Sequence, residues 1–145
     1  MQTSTSAGPI DLTQFAEAIN VALAEAVPCL IATCDDEGHP DIALKGSMMV
    51  FDRDHLAFWE RSHGTTIENL QRNPYVAVLY RNRERKVSFW RFYGAAEVLP
   101  TGDVREQVRA KTVQAELDKD PDNRGIAVVI RIDRVLEPGR VLQQR

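Results

Sequence analysis

The chain is poor in several things that would have fixed its class at once. It has two cysteines in 145 residues, Cys29 and Cys34. Both fall in one expected strand, five residues apart, where they point to opposite faces or lie too far apart to bond. A disulfide framework is therefore excluded, and two reduced thiols in a cytoplasmic protein are expected. There is no surplus of basic charge: 18 Lys and Arg stand against 21 Asp and Glu, for a net charge of -3. That balance argues against a general nucleic-acid or membrane-surface binder, whose affinity needs excess cations. No apolar run approaches the roughly 20 residues that span a bilayer. The three histidines, His39, His55 and His63, fall at separate turns with no metal-ligand spacing. No Ser-His-Asp or Cys-His order with supporting turns appears, so nucleophilic hydrolysis has no support. The start, Met1 to Pro9, is Ser/Thr-rich without a charged-then-apolar pattern, and reads as a frayed tail rather than a secretory signal.

What is present is a run of short apolar segments separated by turn signals. Asp11 to Ala26 carries Leu12, Phe15, Ala16, Ile19, Leu23 and Ala26 at helical spacing, with Asp11 as cap and Pro28 as stop. Val27 to Thr33 reads as a strand, Asp35 to Gly38 as a turn, and His39-Pro40 as the start of a partner strand. Gly46 interrupts that second strand, which suggests a bulge or a close backbone approach. His55 to Glu60, Tyr75 to Tyr80, Lys86 to Leu99 and Gly125 to Leu136 complete the expected strands. A helix is expected from Pro100-Thr101-Gly102-Asp103 to about Lys119. Tight turns favour antiparallel pairing, and about six strands in a small domain favour closure toward a barrel. The expected organisation is a tail over residues 1–10, one domain over 11–138, and a flexible polar tail over 139–145.

The segment from Phe58 to Tyr80 carries the chemistry. An apolar strand, Phe58-Trp59-Glu60, runs into Arg61-Ser62-His63-Gly64-Thr65-Thr66, then a short helix stopped by Asn73-Pro74. Free N–H groups at a helix start, hydroxyls and a guanidinium together suit a phosphate. The plainer alternative is that Ser62 and Thr65 only cap the helix while Arg61 is solvated. Trp59 and Trp90 read more readily as core or interface packing than as ring-stacking residues.

Four pieces in this order resemble the FMN-binding split barrels of the pyridoxamine 5′-phosphate oxidase-like group. They are Cys29 to Thr33 with Gly38-His39-Pro40; Phe58 to Pro74, with its ending Asn69-Leu70-Gln71-Arg72-Asn73-Pro74; Val76 to Tyr80; and Phe92 to Val98, containing Gly94-Ala95-Ala96-Glu97. The resemblance implies a mainly β fold, a six-stranded antiparallel split barrel with flanking helices. It implies a homodimer with FMN at the subunit interface and a small organic substrate. Arg61, Ser62, Thr65 and Thr66 become phosphate candidates, joined by Lys45. Phe58, Trp59 and Glu60 fall where strand backbone meets the flavin ring, and Trp90 and Arg91 could reach the site from the partner subunit. His63 and Gly64 stand where the family usually has Lys or Arg, and the Arg/Trp-rich C-terminal segment of the true oxidases has no counterpart here. Pyridoxamine phosphate is thus not the expected substrate. Two alternatives stay open: a deazaflavin in place of FMN, with extra contacts from the basic turn Arg81 to Lys86, or a non-catalytic flavin- or haem-binding protein. His63, in the anchor turn, could donate to phosphate or to reduced flavin.

Overall fold

The computed structural model describes residues 6–86 and 89–145 of the chain. Its strands are β1 (Cys29–Cys34), β2 (Pro40–Lys45), β3 (Met49–Val50), β4 (His55–Glu60), β5 (Tyr75–Tyr80), β6 (Trp90–Leu99), β7 (Ile126–Glu137) and β8 (Arg140–Gln144). Helices are α1 (Ala16–Ile19), α2 (Thr65–Arg72), α3 (Asp103–Lys111) and α4 (Gln114–Leu117). The strands form one curled antiparallel sheet in the order β2-β1-β5-β6-β7-β4-β3, with β8 added beside β7. This is the mainly β split barrel expected, with eight strands rather than six. The additions are the two-residue β3 and the C-terminal β8.

The inner face follows the alternation of each strand. Cys29 and Ile31 of β1, Val76, Val78 and Tyr80 of β5, and Phe92 of β6 point inward, joined by Ile130, Ile132 and Val135 of β7. Phe15 packs edge-on against Trp90 at 4.8 Å and Phe92 at 5.3 Å, while Trp90 stacks on Tyr80 at 5.2 Å. Cys29 and Cys34 are both free thiols, the first fully buried. Burial pushes the Cys29 thiol up to about 12. A second cluster, Met49, Ala57, Trp59, Val108, Ala127 and Val129, packs α3 onto the other face of β4 and β7.

Local chemistry explains the elements around the site. The helix α2 ends because Asn73 precedes a proline and takes an extended conformation; its side chain then accepts from the Tyr75 N–H at 3.1 Å. Asn69 ties α2 to β1 by donating to Thr33 Oγ1 at 3.0 Å in the interior. At Gly94 the pairing of β6 with β7 slips by one residue, and a Cβ there would lie 2.0 Å from the Arg131 carbonyl oxygen. Only glycine permits that approach.

Four expectations are corrected. The helix over Asp11 to Ala26 is a 3-10 turn (Leu12–Phe15) followed by the single α-turn of α1. At its end the Asn20 side chain accepts from the Val50 N–H at 2.9 Å, and farther on Ala26 adopts a positive φ. The helix ending near Lys119 breaks at Thr112 and Val113, both extended, with Thr112 Oγ1 donating back to the Val108 carbonyl at 2.7 Å. The C-terminal tail is strand β8, turned by Pro138-Gly139. The tail over 1–10 is tied down from Gly8, which pairs with Gln143, and Ile10 is buried. Gln143 fixes this union by accepting from the Asp11 N–H at 2.9 Å and donating to the Asp11 carbonyl at 3.0 Å. Within the expected fifth strand, Val87 and Ser88 lie outside the described residues.

Candidate functional site

The edge strand β2 and strand β4, next to the far edge of the sheet, come together where both finish. Lys45 is the last residue of β2 and Glu60 the last of β4, and Lys45 Nζ donates to Glu60 Oε2 at 2.6 Å. Alternation dictates this: Ile42 and Leu44 point outward, so Ala43 and Lys45 point in. One turn on, Ser47 Oγ accepts from the Trp59 N–H at 2.9 Å and donates to the Trp59 carbonyl at 3.0 Å. Side chains therefore join β2 to β4 in place of a ladder among the described residues.

A cavity of about 330 Å³ opens at this seam, lined by Leu44, Lys45, Gly46 and Ser47 on one side and Trp59, Glu60, Arg61 and Ser62 on the other. Leu23, Pro28 and Glu116 complete the wall. Trp59 is a fixed part of it. Its indole donates to Asp120 Oδ2 at 2.8 Å, and the Arg105 guanidinium lies over its ring at 4.7 Å. Burial alone would raise the Asp120 carboxyl, but hydrogen bonds from the Arg124 N–H, the Trp59 indole and the Gly125 N–H hold it below its ordinary value.

Five of the ten candidate residues, Lys45, Trp59, Glu60, Arg61 and Ser62, line this one cavity. Phe58 is fully buried in the core beneath it, with Lys45 Nζ 5.6 Å from the ring centre. Thr65 and Thr66 open α2, but neither lines the cavity: Thr66 is buried, and Thr65 faces a separate hollow with Asp35, Glu68 and Arg72. Neither caps α2, whose N-cap is Gly64. Trp90 is half-buried and packs on Tyr80 and Phe15. Arg91 lies on the opposite, outer face of the sheet. His63 turns away, with Nε2 3.3 Å from the Arg124 carbonyl. In the basic turn, Arg85 is engaged by Glu25 at 3.2 Å.

The donors that suit a phosphate already have acceptors. Glu60 takes Lys45 on one oxygen and, on the other, the Ser62 N–H at 3.1 Å and the Ser62 hydroxyl at 3.2 Å. Arg61 Nε donates to Glu116 Oε2 at 2.8 Å. Glu116 comes from α4, and a Cβ on Gly46 would lie 2.3 Å from its Oε1. An ammonium, a guanidinium, a hydroxyl and an N–H fit a phosphate in kind, and at present two carboxylates accept from them. Glu116 and Gly46 join the site beside the candidates, neither having been assigned a role in binding from the sequence. Glu116 had no signal, lying inside a segment with helical composition; Gly46 did, as the glycine that breaks the second strand. Among the described residues, no group of three or more His, Cys, Asp or Glu is placed to hold a metal ion, and no helix is long and apolar enough to cross a membrane.

Residues 15–137 match the family model described as pyridoxamine 5′-phosphate oxidase. Among solved structures, a candidate pyridoxamine 5′-phosphate oxidase from Lactobacillus delbrueckii is 29% identical, with a TM-score of 0.64 over 81% of this chain and 89% of that one. HupZ of Group A Streptococcus is 23% identical, with a TM-score of 0.65 over 89% and 98% of the two chains. An FMN-binding protein from Syntrophomonas wolfei shares the fold at 13% identity, with a TM-score of 0.67 over 88% of each chain. No curated protein matches the sequence.

Proposed function

Because the chain belongs to the pyridoxamine 5′-phosphate oxidase family, we propose that it is an FMN-dependent oxidoreductase for a small organic substrate, with its cofactor at a homodimer interface. The observation that carries this reading is the convergence of Lys45, Arg61 and Ser62 on one cavity at the barrel's seam. A buried phosphate needs several donors, and each charge-assisted hydrogen bond contributes about 1.5–3 kcal/mol. Three such bonds with modest ring contact reach the roughly 8 kcal/mol of a micromolar site. Arg61 suits the task best, since its guanidinium offers five donors in a planar fork. Past the turn, the first N–H groups of α2, at Thr65 and Thr66, are a further source of donors. FMN, when bound, supplies the transfer of hydride or electrons. The chain's own residues supply position and exclusion of water, with Trp59 as a rigid wall.

The homodimer is supported by the outer face of the sheet. Ile42 is 70% and Leu44 64% exposed, and both lie over the register row of Leu30 and Ala32, with Ala77 and Leu79 beyond. Arg91 edges the same shallow apolar hollow, and its buried Nε has no hydrogen-bond partner among the described residues. Such a contiguous apolar face on a soluble domain suits a second copy of the chain.

Titration of the purified protein with FMN, followed by flavin fluorescence, tests the reading. Saturable quenching at one FMN per chain is expected, with oxidation of reduced nicotinamide by a quinone acceptor. A deazaflavin run in parallel should bind more weakly, since Arg85 of the basic turn is already paired with Glu25. Absence of any fluorescence change with FMN refutes the cofactor; binding without turnover refutes the catalysis alone.

A further inference from the structure

We propose that Glu116 is a specificity-determining residue of this site, a resident carboxylate that holds Arg61 until a ligand bearing a phosphate dianion takes its place. The inference rests on the cofactor reading above. The charges lining the cavity cancel: Lys45 and Arg61 against Glu60 and Glu116. A dianion entering a neutral pocket gains little, whereas one that replaces Glu116 meets a net positive site.

The two carboxylates are not equivalent. Glu60 is part of the fold's seam, with a cation and two Ser62 donors. Glu116 accepts one hydrogen bond among the described residues, from Arg61 Nε, and arrives from a separate element 55 residues later in the chain. Its Oε1 occupies the space that the missing side chain of Gly46 leaves open. Arg61 is 39% exposed on its side chain, and only its Nε is engaged, so the rest of the fork can turn to a ligand. Glu116, by contrast, is 8% exposed and loses its counter-charge if Arg61 turns away. An uncompensated carboxylate there is costly, so the exchange requires Glu116 to leave the pocket.

Selectivity follows from charge. A ligand carboxylate that replaces Glu116 trades one negative charge for another and gains nothing. A phosphate dianion brings one charge more. A neutral ribityl hydroxyl does not displace Glu116 at all. The contact thus raises the threshold for every anion that must displace Glu116 from Arg61 and leaves phosphate esters as the anions able to cross it.

The test is a fluorescence titration with FMN and with riboflavin on the wild type, Glu116→Gln, Glu116→Ala and the double variant Arg61→Ala/Glu116→Gln. Removing the competing charge should tighten FMN binding about tenfold and leave riboflavin within about twofold. The double variant should lose the gain. Glu116→Gln keeps the side chain's shape, so it decides the matter even if Glu116→Ala does not fold. Unchanged or weaker FMN binding by Glu116→Gln overturns the proposal while leaving the cofactor reading intact. A parallel gain for riboflavin also overturns it, since Glu116 would then act by bulk. Failure of all four proteins to bind FMN overturns the cofactor reading and this inference with it.

Discussion

Replacing Lys45 by Met should destabilise the protein by about 3 kcal/mol, the cost of leaving a buried carboxylate without its counter-ion. The magnitude comes from the pair's surroundings: the side chains of Lys45 and Glu60 are 12% and 5% exposed, and Nζ lies 2.6 Å from Oε2. The two hydrogen bonds from Ser62 remain and keep the loss from running higher. For a domain of this length the change corresponds to a fall in Tm of about 10 °C. Urea denaturation followed by tryptophan fluorescence reads it directly, because Trp59 is bonded to the same seam through Ser47. The double variant Lys45→Met/Glu60→Leu should recover to within about 1 kcal/mol of the wild type, since a buried ion pair exchanged for apolar groups is often neutral. A loss below about 1 kcal/mol in Lys45→Met, or a double variant less stable than the single one, would refute the claim that this pair clasps the open barrel.

Other consequences are separable. Gly94→Ala should cost well over 3 kcal/mol by chemical denaturation, because its Cβ meets the backbone oxygen of Arg131 at 2.0 Å and a strand must shift. Wild-type-like stability would show the strands are not that close. Ile42→Glu together with Leu44→Lys should shift the elution volume from dimer to monomer with little change in the fold; an unchanged volume would remove this face as the interface. Cys29 gives a pH signature. Its thiol, raised to about 12 when folded against 9.0 for the ordinary group, keeps its proton where the unfolded chain loses it. Stability should therefore fall between about pH 9 and 12 by up to about 1.4 kcal/mol per pH unit. Cys29→Ala should lack that component, and an identical slope in both proteins would contradict the burial of Cys29.

The fold was legible wherever a local rule coincided with a tertiary one. Asn73-Pro74 ends α2 in the structure because the residue before a proline leaves the helical region, which the sequence states outright. The alternation of β5, and of Arg91 and Tyr93 against Phe92, set which side chains enter the core. The first helix departs from expectation because its apolar spacing is satisfied equally by a 3-10 turn and one α-turn. Strand β8 is not legible locally because Arg140 to Gln144 is short and mostly polar; it is held by pairing with β7 and by Gln143 bonding to Asp11, 132 residues distant. The same holds at the site. Lys45, Arg61 and Ser62 are readable as donors near a strand end and a turn. That Glu60 and Glu116 would accept from them is a property of the closed sheet, invisible in a spacing.

The most direct measurement is a crystal structure of the protein with FMN. The phosphate should lie within hydrogen-bond distance of Arg61 and Ser62 in the cavity between β2 and β4, with Glu116 turned out of the pocket. A phosphate bound elsewhere, or a cavity still closed by Arg61 and Glu116 while FMN occupies another site, would contradict the account.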